Sequence, residues 1–231
     1  MLVKCSMMRK IETKYPNFYY FVSGENPKLL IHSGTHGDES EVTEFVMESL
    51  RKYEAQLPAF IFVPEVTPSG VAKNTRRNGS GRDMNREFFS NSPDPEVQAN
   101  IEAIQGHHFD IFVSVHEDPE LMAYYLYDVG PGKDRNELVL RHNQMMKNHG
   151  VELLNGIDDL EDTSLGFEFV DGYNKMDFPE GEPDDGTISA WVLNRKMAKD
   201  YLLPEIPGKA IREIKKYIVD SFFTEVILKS F

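Results

Sequence analysis

Cysteine is almost missing from this 231-residue chain: Cys5 is the only one. A single cysteine excludes an intrachain disulfide and a cysteine-built zinc site. So close to the N-terminus, it reads as a small apolar side chain. Long hydrophobic runs are missing too, since no stretch approaches the roughly 18 consecutive apolar residues of a membrane span. The opening Met1-Leu2-Val3-Lys4-Cys5-Ser6 has no apolar segment ahead of a small-residue cleavage site. No signal peptide is therefore expected, and the cytoplasm is the default location. The length allows one large domain or two small ones, and neither an internal repeat nor a low-complexity linker is visible; a single domain over residues 1–231 is the expectation. Positive charge is in short supply: 25 Lys and Arg face 38 Asp and Glu, for a net charge of −13. Such a surface repels phosphate backbones and anionic bilayers, which argues against nucleic acid and membranes as partners.

What is present suits a globular protein, with 40% hydrophobic residues. Apolar and aromatic runs at 17–22, 28–32, 59–66, 110–116, 121–127 and 201–206 read as strands. Segments 40–53, 95–105, 133–148, 187–198 and 209–228 read as helices; in the first, Val42, Phe45, Val46, Leu50 and Tyr53 recur at three- and four-residue steps. Apolar strands alternating with amphipathic helices predict an α/β domain, with helices on both faces of a largely parallel sheet. In such sheets, sites collect beyond the carboxyl ends of strands. His36, His116 and Glu205 all fall at or near such ends.

The run Leu29-Leu30-Ile31 breaks into Ser33-Gly34-Thr35-His36-Gly37-Asp38-Glu39-Ser40. Two readings compete: a polar strand-to-helix turn, or two metal ligands. Zinc takes imidazole nitrogen and carboxylate oxygen, with three protein ligands in a catalytic site. Gly34 and Gly37 permit a tight turn and close approach of the backbone to a ligand. His116, ending the strand 110–116, is the candidate third ligand. His107 and His108 precede that strand, His142 and His149 belong to a polar helix, and His32 reads as a packed strand residue.

Against the acidic background, Lys73, Arg76, Arg77, Arg82 and Arg86 crowd one segment. A guanidinium fork binds carboxylates through paired hydrogen bonds, and a second cation can stabilise the oxyanion at an attacked carbonyl. Asp83 is placed to hold a ligand histidine by its other ring nitrogen. Arg77 and Arg82 read as solvated. Glu205, in Leu203-Pro204-Glu205-Ile206-Pro207, is either a solvent-facing strand end or a buried carboxyl tuned for proton transfer.

Taken in order, these segments resemble the zinc metallocarboxypeptidase family. The resemblance rests on Gly34-Thr35-His36-Gly37-Asp38-Glu39, Pro68-Ser69-Gly70, and Thr75-Arg76-x-Asn78-x-x-Gly81-x-Asp83-x-Asn85-Arg86-x-Phe88. It continues through a strand ending in His116 to a late glutamate, and runs from about residue 28 to 208. The wording is most similar to the small bacterial murein-peptide amidase type. The succinylglutamate desuccinylase and aspartoacylase branch shares the same core motifs. The resemblance implies a mixed, mostly parallel twisted sheet sandwiched between helices. It also implies one zinc ion on His36, Glu39 and His116, and Asp83 behind the first histidine. Arg76 would face the oxyanion, Asn85 and Arg86 would hold the substrate carboxylate, and Glu205 would be the general base and acid. The expected activity is hydrolysis of an amide or peptide bond near a free carboxylate, on a small peptide or N-acyl amino acid.

The sequence also departs from the family pattern. Pro204 and Pro207 flank the late glutamate, which predicts an edge strand or a bulge. Glu117 and Asp118 follow the third ligand where small or hydroxyl residues are usual; solvated acids are the reading, with attraction of a substrate cation as the alternative. Tyr173 is a candidate for the mobile-loop tyrosine of the peptidases. The stretch from Gly186 to Trp191 resembles the specificity-pocket segment. Two further activities stay open: N-acyl amino-acid deacylation, whose enzymes carry an extra C-terminal β domain where this chain ends in a helix, and an inactive relative that binds peptide carboxy-termini.

Overall fold

The computed structural model describes residues 8–132, 135–159, 166–178, 181 and 183–231. Cys5 and part of the acidic loop 179–186 fall outside the described residues. The strands are β1 (Arg9–Glu12), β2 (Tyr19–Ser23), β3 (Leu29–His32), β4 (Phe60–Val63), β5 (Phe109–Ser114), β6 (His116–Asp118), β7 (Tyr125–Val129), β8 (Gly156–Ile157), β9 (Glu168–Phe169), β10 (Tyr173–Met176) and β11 (Ala198–Pro207). The helices are α1 (Glu41–Tyr53), α2 (Pro68–Val71), α3 (Pro95–Ile104), α4 (Arg135–Asn148), α5 (Ile188–Asn194) and α6 (Arg212–Phe222).

Nine strands form one sheet in the order β1-β2-β4-β3-β5-β11-β7-β10, with β6 also paired to β11; β8 and β9 make a separate ribbon. The centre is parallel, and the antiparallel pairs are β1–β2, β2–β4 and β7–β11. Period-two alternation divides the core. Leu29, Ile31, Phe60, Phe62, Ile111 and Val113 pack into the layer with α1, α4 and α6. Leu30, Ile61, Val63 and Phe112 face the layer with α3 and α5. Burial on both faces explains why these strands read as unbroken apolar runs. The expected α/β sandwich is the fold observed.

Several boundaries move. The helix expected over 187–198 stops at Asn194, because Lys196 takes a positive φ of 52° and β11 begins at Ala198. The strand expected from residue 121 starts at Tyr125; before it, the Asp118 carboxylate accepts from the Glu120 and Leu121 amides and holds a turn. The C-terminal helix starts at Arg212 and closes in a π-helical turn at Phe223–Ile227.

The prolines do not put β11 at an edge. It runs through the interior of the sheet, with β7 on one side and β5 then β6 on the other. On that second side pairing stops at Leu202 with β5 and resumes at Glu205 with β6. Pro204 falls in this interruption, where a missing N–H costs no ladder bond. Among the described residues no helix is long and apolar enough to cross a membrane.

Candidate metal centre

The end of β3 leads into the turn that carries His36, and a 3-10 turn at Gly37–Glu39 then carries Glu39 into α1. This turn lies against a second backbone. A Cβ on Gly37 would stand 2.0 Å from the carbonyl carbon of Gly70, and the Gly37 amide donates to the Thr75 carbonyl at 3.1 Å. The close approach that glycine permits here is therefore to the neighbouring chain segment. It fastens the His36 turn to α2 and to the arginine loop beyond.

His36, Glu39 and His116 are brought together and buried. One ligand atom from each lies within 4.8 Å of the others. His36 Nδ1 is 2.5 Å from Glu39 Oε1, and His116 Nδ1 is 3.0 Å from Glu39 Oε2. The two imidazole rings stand 5.4 Å apart between centroids at 73°. The outer nitrogens are turned away. His116 Nε2 meets Ser114 Oγ at 3.0 Å, and His36 Nε2 is 3.3 Å from Asp83 Oδ1. Such outer contacts fix ring orientation and leave the inner Nδ1 atoms for an ion. Two imidazoles and one carboxylate converging this closely suit zinc, whose bonds to these donors run at about 2.0–2.2 Å.

Asp83 ties the surroundings together. Its Oδ2 accepts from Arg76 Nε at 3.1 Å and its Oδ1 from the Asn85 amide at 3.0 Å. Burial raises its carboxyl, but the adjoining His36 imidazole and the Arg76 charge outweigh that and hold it well below the usual range. Arg76 Nη1 lies 3.6 Å from Glu39 Oε1 and 3.4 Å from His36 Nδ1. Asn85 and Arg86 lie on the next turn, Met84–Arg86. Arg86 is exposed, and its Nη1 donates to the Asn85 carbonyl.

The arginine loop is not floppy at its middle. Asn78 is buried; its Oδ1 accepts from the Ser80 and Arg82 amides, and its Nδ2 donates to Asp94, the residue that caps α3. In the sequence, Asn78 stands out only as part of the motif that carries the family resemblance. Its Asn-Gly dipeptide, a turn signal, was the available clue. Gly186 accepts from the Phe88 amide at 2.9 Å, which brings the start of the Gly186–Trp191 stretch beside the Asn85–Arg86 turn.

Glu205 is the register partner of His116 on β6 and of Tyr125 on β7. Burial, then the charges of Glu39 and Asp118, push its carboxyl well above the ordinary range. Glu205 is half-buried along β11, between the buried Pro204 and Ile206, so it is neither a free solvent-facing strand end nor a fully enclosed carboxyl.

Two expectations fail. Tyr173 is not on a loop at the centre: it opens β10, and its hydroxyl bonds Asp128 at 2.9 Å and Asn136 at 2.8 Å in a network that includes Arg135 and Lys175. Glu117 is neither solvated nor available to a substrate. It is buried, accepts from the Val42 amide at 3.1 Å, and pairs with Lys215 at 2.7 Å. Asp118 is occupied by its turn and by the Tyr125 hydroxyl at 2.7 Å.

The profile of the succinylglutamate desuccinylase/aspartoacylase catalytic domain matches residues 25–159. No curated protein gives a significant match. Among solved structures, a candidate metallopeptidase from Shewanella denitrificans is 20% identical with a TM-score of 0.71, over 95% of this chain and 83% of that one. A metallo-carboxypeptidase from Pseudomonas aeruginosa, in complex with (2-guanidinoethylmercapto)succinic acid, is 16% identical with a TM-score of 0.61, over 92% and 59%. An aspartoacylase family protein from Mesorhizobium loti is 17% identical with a TM-score of 0.53, over 90% and 61%. At these identities the likeness to solved structures is one of fold, while the profile covers more than half of the sequence. On that match, the chain belongs to the succinylglutamate desuccinylase/aspartoacylase family of hydrolases.

Proposed function

We propose that the protein is a zinc-dependent hydrolase of amide bonds that lie near a free carboxylate, acting on a small peptide or an N-acyl amino acid through one catalytic domain. The observation that carries this reading is the buried convergence of His36 Nδ1, the Glu39 carboxylate and His116 Nδ1, with Glu205 side by side with His116. A bound zinc ion would supply Lewis acidity toward the carbonyl and a water ready to lose a proton.

The remaining steps fall to the chain. The Glu205 carboxyl, raised by burial and by the charges of Glu39 and Asp118, suits proton exchange: it takes the proton from the attacking water and returns it to the departing amine. Arg76, within 3.6 Å of Glu39, offers a guanidinium to the oxyanion as negative charge develops there. Asp83 holds Arg76 through Nε and Nη1 lies against Glu39 and His36, which leaves Nη2 to face the substrate. Asn85 and Arg86 take the substrate carboxylate and so set which bond reaches the centre. A general base has no purpose in a protein that only binds carboxy-termini, so the raised Glu205 favours an enzyme over an inactive relative.

Peptidase and deacylase chemistry share these residues. The family profile favours the N-acyl amino-acid substrates; the metallo-carboxypeptidase bound to a succinic acid derivative supports a carboxylate-bearing ligand in either case. The test is a screen of short peptides and N-acyl amino acids with zinc present, comparing wild type with Glu205→Gln. Hydrolysis by the wild type that is lost in Glu205→Gln supports the proposal, and equal rates in both would remove Glu205 from the mechanism.

A further inference from the structure

The residue after the third candidate ligand is doing something that the proposed chemistry does not use. Successive side chains of a strand leave opposite faces. His116 therefore points with Glu205 into the site, and Glu117 points into the layer of α1 and α6, as does its partner Ile206. There, Glu117 is 5% exposed and Lys215 of α6 is 5% exposed.

The start of α1 lacks a cap of its own, since Ser40 makes no side-chain cap hydrogen bond. Glu117 Oε1 serves instead, accepting from the Val42 amide at 3.1 Å. A carboxylate at a helix N-terminus also meets the positive end of the helix dipole. Glu117 Oε2 accepts from Lys215 Nζ at 2.7 Å, and the same ammonium donates to Glu41 Oε2 at 2.7 Å. The first turn of α1 is thus joined to β6 and α6 by buried, charge-assisted bonds.

A closed ring results. It runs along the chain from Glu39 through Ser40 and Glu41 to Val42, crosses by hydrogen bond to Glu117, steps back to His116, and returns through the 3.0 Å contact of His116 Nδ1 with Glu39 Oε2. Three side chains close the ring, those of Glu117, His116 and Glu39, and Lys215 holds the first of them in place from the α6 side. The separation of Glu39 from His116 is therefore set from behind the sheet.

We propose that Glu117, clamped by Lys215, is a positioning residue that fixes the distance between the Glu39 and His116 ligands. The inference rests on the reading of His36, Glu39 and His116 as a metal site. Glu117 touches none of the reacting groups; it acts through His116 and α1. A cap that served stability alone would change unfolding and leave ligand geometry intact.

The test is titration of the full chain with Co2+ alone, followed by its visible absorption, which reports ligand geometry without turnover. Thermal unfolding of the metal-free protein is measured alongside. Glu117→Ala should bind Co2+ about 10–100-fold more weakly, the usual cost of losing an outer support of a metal ligand, and its spectrum should differ from wild type. Glu117→Gln, which retains an acceptor for the Val42 amide, should lose less. A lower melting temperature with wild-type affinity and spectrum overturns the proposal. If Glu117→Ala does not fold, Glu117→Met combined with Lys215→Met removes both charges and keeps the bulk, a replacement that buried ion pairs often tolerate. Weaker binding in that variant supports the inference, and wild-type binding overturns it. His116→Ala is the control: if it binds Co2+ as wild type does, the metal-site reading fails and positioning falls with it.

Discussion

Glu205 and His116 are partners in one parallel ladder, β11 against β6, and their side chains leave the sheet on the same face. A carboxyl with a raised proton affinity thus stands beside a candidate metal ligand, on the short ladder that β6 forms with β11 beyond the break at Val115. Backbone register, rather than a loop, sets that juxtaposition, and rigid elements hold catalytic geometry best.

Glu205→Gln should lower turnover by roughly 10²–10⁴, the range for loss of a general acid–base. Zinc affinity, measured by competition with a chromophoric chelator, should be unchanged. A variant that keeps full activity contradicts the assignment.

The same substitution carries a pH prediction for the metal-free protein. The native carboxyl binds its proton more tightly than the ordinary 4.5 of the unfolded chain. Above that pH the unfolded state has lost a proton that the native state still holds, so stability falls as pH rises through the native value. Glu205→Gln removes this loss. Its melting temperature should exceed that of wild type at neutral pH, and the gap should close toward pH 4.5. A gap that widens on acidification would give the shift the wrong sign.

Arg76→Ala should reduce kcat by about 10²–10³, the cost of one oxyanion donor. Its side chain is about half exposed, at 47%, so unfolding should move little. Arg86→Ala should instead act on selectivity. The preference for a substrate with a free carboxylate over its carboxamide should drop roughly 10–150-fold, from about 1.5–3 kcal/mol per charge-assisted hydrogen bond. Steady-state kinetics on the paired substrates separates the two variants.

Gly37→Ala tests the contact between the His36 turn and α2. The added carbon would fall 2.0 Å from the Gly70 carbonyl carbon, so backbone must move. Destabilisation of about 1–3 kcal/mol in urea unfolding is expected, together with weaker zinc binding. Wild-type values for both would mean that the turn has room to spare.

The parts of this fold that are legible in the sequence are those whose signals are local. β3, β4 and β5 are apolar on both faces, and α1 repeats its apolar residues at helical spacing. β1 escapes notice because Arg9, Lys10 and Glu12 lie exposed at the edge of the sheet and supply no alternation. β10, at the opposite edge, has Tyr173 through Met176 all half-buried. The prolines around Glu205 mislead, since the gap that accommodates Pro204 belongs to β5 and β6, remote in sequence. At the site, His36, Glu39, Arg76 and Asp83 come with turn and loop signals, and their meeting with His116 follows from strand ends gathering on one side of a parallel sheet. Glu117 reads as solvated because its partner, Lys215, lies 98 residues later. An acidic residue next to a strand end carries no local mark of burial.

The central claim is that three side chains share one ion. Diffraction from crystals grown with zinc, collected at the zinc absorption edge, tests it directly. The account predicts one anomalous peak about 2.0–2.2 Å from His36 Nδ1, a Glu39 oxygen and His116 Nδ1, with a further position open to solvent. A peak elsewhere, or none with these three side chains ordered, would contradict it.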